Sequence, residues 1–201
     1  MKHLITIILL VLFSGTIYSQ NTQVEVIMKD GSKHEGFAKM PSFSTNNISF
    51  KTEESGKALS IKSKDIKTLI FTTDKGTVEM EFLYCRMNEK IVVVVEWGWL
   101  TVVTRGAVTT YTGNLPKPPG DRRSSNNNFL YCHREGEKYA EAISAIDVFG
   151  TAISGIGFSG KMSKYFSDYP ELSEKIKEKA DGYKFNNIKE IIAEYNAWKE
   201  N

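Results

Sequence analysis

Between Gln23 and Tyr111, apolar and polar residues alternate in short runs, and turn-forming residues interrupt the runs every few positions. A period of two puts alternate side chains on opposite faces of a strand, so such a stretch buries its apolar set as a sheet. Val24, Val26 and Met28 alternate with Glu25 and Lys29, and Asp30-Gly31 supplies a two-residue hairpin turn. The returning strand, Lys33 to Met40, contains Gly36, which permits a bulge or bend. Ile48 and Phe50 mark a third strand and Leu59 and Ile61 a fourth. Ser63-Lys64-Asp65 reads as a turn, with a fifth strand over Ile66 to Thr72. Five short strands in about 50 residues predict a small SH3-like or Sm-like barrel.

Further strands follow. Thr77 to Met87 pairs with Lys90 to Glu96 across Asn88-Glu89, and the β-branched run Ile91 to Val95 predicts a strand covered on both faces. Asn114 to Asn128 holds three prolines, a glycine and a run of Ser and Asn, which predicts an exposed, mobile loop over 114–128. Phe129 to Arg134 returns as strand. From Glu141 to Phe158 the spacing becomes helical, with Ile143, Ile146, Phe149, Ile153 and Ile156 on one face. Asp168 with Glu171 and Asn187 with Glu190 predict capping boxes for two more helices. The last presents Ile188, Ile191, Ile192, Tyr195 and Trp198 on its inner face. The fold class is therefore α+β: an antiparallel β-rich body over 20–138, barrel or sandwich, with a helical region over 139–201 packed on it.

At the N-terminus, Lys2 precedes an apolar stretch from Leu4 to Phe13 and a small-residue exit at Ser14 to Ser19. This predicts a signal peptide over 1–19, cleaved before Gln20, and a periplasmic or secreted protein. The apolar stretch falls short of the roughly 20 residues of a membrane span, so no transmembrane span is expected in the mature chain. An exported chain has little access to nucleotides or nucleic acid, and neither is expected as a partner. The formal net charge of +2 gives no global field to recruit an anionic ligand, and the basic excess gathers between Arg105 and Lys138.

Cys85 and Cys132 sit in matching contexts, Leu83-Tyr84-Cys85 and Leu130-Tyr131-Cys132. Two readings stand: a disulfide, which in an exported protein would add about 4 kcal/mol by closing a loop of this length, or two buried thiols acting as small hydrophobes. No paired metal-ligand spacing occurs, and no metal or other cofactor is expected. The string Gly155 to Met162 satisfies G-x-G-x-x-G. That motif needs a strand feeding a helix N-terminus, and the preceding residues have helical spacing, so the string reads as a helix break. His34 and His133 lack partners in sequence; a nucleophile pair would require Cys85 with His133 across neighbouring strands. Glu79 and Glu81 share a strand face, as a hydrolytic carboxylate pair or a solvated sheet face would. Trp97, Trp99 and Tyr111 form the best binding candidate, an aromatic surface for sugar rings or a partner protein if exposed, and core if buried.

The segments Lys164 to Leu172, Asn187 to Ile192 and Glu194-Tyr195-Asn196, with the β-rich front and the signal ending in Ser19-Gln20, resemble a family of uncharacterised exported bacterial proteins. The resemblance implies export and a β-rich front with a helical tail, and it carries no functional residue. The sequence thus favours a non-catalytic binding or envelope-associated module with a protein or glycan partner. The alternative is a secreted hydrolase whose carboxylates meet only in the fold.

Overall fold

Asp30 and Gly31 reverse the chain as the alternation requires. Gly31 takes φ +89°, and Asp30 Oδ1 accepts hydrogen bonds from the Ser32 amide (2.9 Å) and hydroxyl (2.7 Å). Strand β1 (Thr22–Met28) thereby returns as β2 (Lys33–Ala38). The structure, a computed structural model, describes residues 21–88, 93–114, 128–146, 152–154 and 157–201. The signal segment, most of the 114–128 loop, Ile91, Val92, Phe149 and Ile156 lie outside the described residues.

Strands β3 (Asn47–Lys51) and β4 (Leu59–Lys62) follow, then a 3-10 turn at Ser63–Asp65 and β5 (Ile66–Thr73). These five strands lie in the order β5-β1-β2-β3-β4, antiparallel throughout. Gly36 is required where β2 meets β3: a Cβ there would lie 2.1 Å from the Lys51 carbonyl oxygen and 2.6 Å from the Phe50 ring.

Next come β6 (Gly76–Asn88), β7 (Val93–Thr104), β8 (Thr109–Gly113), β9 (Asn128–His133) and β10 (Ala140–Ile146), each antiparallel to its predecessor. β10 then pairs in parallel with β6, Ala140 opposite Cys85 and Glu141 opposite Arg86, which closes a five-stranded barrel. β5 joins the same edge of β6 further along, at Gly76 to Met80. A short β11 (Ala152–Ser154) adds to β10. Helices α1 (Phe158–Tyr165), α2 (Pro170–Lys177) and α3 (Ile188–Glu200) complete a β-rich α+β fold.

The helix expected over Glu141 to Phe158 is instead strand at both ends, and helix begins only at Phe158. Ala140 and Ala142 face the barrel interior while Ile143 faces the helices, so the segment is read with a period of two. Ladder bonds to β9 and β6 outweigh the helical spacing of its isoleucines. Val95 is 39% exposed, so β7 is not covered on both faces as expected.

Three apolar clusters follow from the two faces of the barrel wall. Inside sit Cys85, Leu100, Tyr111, Tyr131, Ala140 and Ala142. On the outer face, Met80, Phe82 and Trp99 pack against Val24, Val26, Leu69 and Phe71 of the first five strands. Elsewhere on that face Leu130, Cys132 and Ile143 pack against Phe166, Leu172, Ile176, Ile191 and Tyr195 of the helical region. The loop after β2 locks the first unit to the barrel. Phe43 accepts a hydrogen bond from the Trp99 amide (2.9 Å), its ring occupies the space a Gly98 Cβ would fill (2.2 Å), and Trp99 Nε1 donates to the Thr45 carbonyl (3.0 Å).

The α3 face docks as its spacing predicts, with Ile188, Ile191, Ile192 and Tyr195 buried, while Trp198 is 37% exposed and stacks on Tyr169 (4.5 Å). Asn196 clamps the β7–β8 turn through both backbone groups of Val108 (2.8 and 3.0 Å). The expected capping boxes do not form: neither α2 nor α3 has a side-chain cap. Asp168 serves packing instead, accepting from the Tyr195 hydroxyl (2.6 Å) and pairing with Lys199 (2.9 Å) and Arg134 (3.3 Å). Arg134 lies over the rings of Tyr165 and Tyr195 and donates to the Tyr165 carbonyl (2.7 Å).

Two predictions test this packing. Gly98→Ala overpacks Phe43 and should cost about 1–3 kcal/mol, read by urea denaturation. In a Phe43→Ala background the same change should cost clearly less, because its clash is gone; additive losses would show that the two do not touch. Burial raises the Asp168 carboxyl, but Tyr195, Lys199 and Arg134 outweigh it and hold the group below its ordinary value. A depressed folded value means the contribution is present above the unfolded pKa of about 3.9 and lost as pH falls through the folded one. Asp168→Asn should therefore be less stable than the parent at pH 7, and the gap should close on acidification below about pH 4.

Candidate functional site

The outer wall of the barrel is covered in two places, by the first five strands and by the helices. Between them a strip stays open. It carries Tyr84 and Arg86 of β6, Trp97 of β7, and Tyr139 and Glu141 at the start of β10. The strand residues lie on the outward register, as Phe82, Trp99 and Ile143 do, and Tyr139 immediately precedes β10. The strip also marks where the sheet branches. β5 leaves β6 at Met80 and β10 joins it at Cys85, so Glu81 to Tyr84 have no ladder partner on that edge among the described residues.

Trp97 is 45% exposed and stacked on Phe82 (5.5 Å, 20°) and on Tyr84 (5.2 Å, 21°). Tyr84 packs in turn on Tyr139 (5.1 Å). Cations lie over both ends of this run: Lys29 over Trp97 (5.7 Å), and Arg86 (4.6 Å) and Lys138 (5.0 Å) over Tyr139. Stacked neighbours fix the rings, so a ligand meets a surface whose rotamers are already set.

Two open clefts flank the run and meet at Glu137 and Lys138. One, of about 250 Å³, lies along the free edge of β6 beside Lys29, Lys67 and Trp97. The other, of about 400 Å³, lies between β10 and α1 beside Arg86, Tyr139, Lys161 and Lys164. Arg86 makes an ion pair with Glu141 there. Lys161 reaches the Ala142 carbonyl at 3.4 Å. Burial and the nearby Arg86 charge hold the Lys161 ammonium below its ordinary pKa, with Glu141 opposing them. This lysine belongs to the Gly155–Met162 string; Gly155 and Ile156 lie outside the described residues, and Gly157 (φ +73°) opens α1.

Of the aromatic residues singled out in the sequence, only Trp97 faces solvent. Trp99 and Tyr111 are each 2% exposed and belong to different cores. Trp97 and Trp99 do share one face, but the first five strands cover the second and stop short of the first. Tyr139 and Arg86 were not marked by sequence. Lys161 stood only in the glycine-rich string, and Tyr84 carried a signal in its strand register, which sets it opposite to Leu83 and Cys85.

The cysteines are free, which corrects the disulfide reading. Cys85 pairs with Ala140 and Cys132 with Glu141, so β10 lies between their strands and they point to opposite faces of the wall. Two interstrand spacings put their Cα atoms about 9–10 Å apart, beyond the roughly 7 Å a bridge tolerates. Burial pushes both thiols well above their ordinary range. The same intervening strand separates Cys85 from His133, whose Nε2 is engaged with the Glu137 carbonyl (2.9 Å). Glu79 and Glu81 are both paired with Arg105, and Glu81 also accepts from the Tyr111 hydroxyl (2.7 Å). Among the described residues no cluster of His, Cys, Asp or Glu is arranged to hold a metal ion, and no helix is long and apolar enough to cross a membrane.

Comparison with known proteins adds no relative: no family model, curated protein or solved structure matches the chain.

The thiol assignment predicts that Ellman's reagent detects no fast-reacting group in the folded, unreduced protein and two after denaturation. It also predicts a melting temperature unchanged by reductant. No thiol after denaturation would restore the bridge.

Proposed function

We propose that this is an exported, non-catalytic binding module and that its ligand is a glycan held on the Trp97–Tyr84–Tyr139 strip. The observation that carries this reading is Trp97, a half-exposed indole stacked on Phe82 and Tyr84 beside an open cleft. A tryptophan left half in solvent within an ordered aromatic run gives sugar rings an apolar surface to rest on, and its neighbours keep it from collapsing onto the core. Export is supported by the Lys2 and Leu4–Phe13 pattern of the leader.

The first five strands are read as an SH3-like unit. Support comes from their order, β5-β1-β2-β3-β4, and from the 3-10 turn between β4 and β5. In this reading the unit is a scaffold, and what matters for the ligand is where its cover of the barrel stops. A hydrolase would need carboxylates free to act on substrate, whereas Glu79 and Glu81 are both engaged by Arg105. The binding reading is therefore preferred.

The test is a glycan panel read by tryptophan fluorescence and calorimetry. Trp97→Ala should lose at least about tenfold in affinity, as expected for a central aromatic anchor. It should cost far less stability than Trp99→Ala, because Trp97 is half-exposed and is not one of the buried core residues. Trp99→Ala should instead destabilise by about 3–5 kcal/mol. Unchanged affinity in Trp97→Ala would move the site elsewhere.

A further inference from the structure

The charges around the strip are unequal in a way that composition hides. Three carboxylates border the two clefts, and each has an internal partner. Glu81 is held by Arg105 and Tyr111. Glu137 accepts from the Arg134 amide (2.9 Å) and the Tyr165 hydroxyl (3.0 Å). Glu141 is paired with Arg86. By contrast Lys29, Lys67, Lys138, Lys161 and Lys164, which line the same clefts, make no ion pair among the described residues. The negative groups are consumed by the fold, and the positive ones are left for something outside it.

We infer that the cleft binds an acidic polysaccharide of the polyuronate type, its sugar faces on Trp97, Tyr84 and Tyr139 and its carboxylates among these five lysines. This rests on the glycan reading above and narrows it. A uronate carries its charge on the ring edge and leaves the C–H face free, so one residue can stack and pair at once. The arrangement here supplies both, since Lys29 and Lys138 stand over the two ends of the aromatic run (5.7 Å to the Trp97 ring, 5.0 Å to the Tyr139 ring). Lysine heads are point charges without a fixed fork, suited to a row of carboxylates presented at changing angles. A neutral glycan would offer these five lysines no carboxylate to pair with.

The experiment titrates the protein with oligogalacturonate, with its fully methyl-esterified neutral form, with dextran sulfate and with poly-glutamate, at low and high salt. The expected result is binding of oligogalacturonate that weakens with salt, with the esterified form at least about tenfold weaker. Lys29→Gln and Lys138→Gln should each lose about fivefold and flatten the salt dependence. Lys189→Gln, an exposed α3 lysine that lines neither cleft, should bind as the parent does. Equal, salt-independent affinity for the esterified form that still needs Trp97 would overturn the acidic assignment and keep the glycan reading. A preference for dextran sulfate would overturn the uronate. Poly-glutamate binding as tightly, with Trp97→Ala unaffected, would overturn both, as would no binding to any of these sugars.

Discussion

The seam at which β10 meets β6 is the one parallel pairing among the described strands, and its register sets Glu141 directly beside Arg86. Closing a barrel from consecutive antiparallel strands requires the last to meet the first, and an odd number of strands makes that contact parallel. Such a seam is short here, two residue pairs, and the ion pair on its outer face adds a charge-assisted contact to few ladder bonds. The helical layer outside the wall depends on it. The helices pack on β9 and β10, so their core exists only if β10 is held in place. Ala140 and Ala142 leave interior room for Tyr111 and Tyr131, which larger residues on β10 would deny them.

The same seam creates the cleft. β6 is long enough to accept β5 at one end and β10 at the other, and the two neighbours diverge because one leads into the first unit and the other closes the barrel. Where they part, the outer wall is exposed. Side chains there obey the strand alternation that places Trp99 and Phe82 in a core, but none of the described residues covers them. Aromatic residues in such a position bury their surface against one another, and the stacked run from Phe82 through Trp97 and Tyr84 to Tyr139 is the result.

Much of the first unit was legible in the sequence because its signals are local. The Asp30-Gly31 turn, the break at Ser63 to Asp65 and the β6–β7 pairing depend on residues a few positions apart. The docking of α3 was legible for the same reason, as one apolar face at helical spacing. The failures were all non-local. Residues 140–146 have isoleucines at helical steps, and only their neighbours in space make them a strand. Asp168 looks like a cap until Tyr195 and Lys199 arrive from α3 to claim its carboxylate. Trp97 and Trp99 are equivalent in pattern, and the extent of a layer contributed by distant residues separates them. Matching contexts suggested that Cys85 and Cys132 meet, whereas their facing directions depend on which strand lies between.

Charge gives the last instance of that rule. A formal net charge of +2 spread over the whole chain implies no field worth the name. Yet at physiological ionic strength a ligand senses charges only within about 8 Å, so the sum over a chain is the wrong quantity. What matters is which charges near the site are already paired. The fold assigns Glu81, Glu137 and Glu141 to hydroxyl, amide and guanidinium partners that also stabilise the barrel and its helices. Each such bond contributes to folding and at the same time removes a counter-ion from the cleft. The positive character of the strip is thus a by-product of how the structure is held together, written in long-range contacts rather than in any run of basic residues.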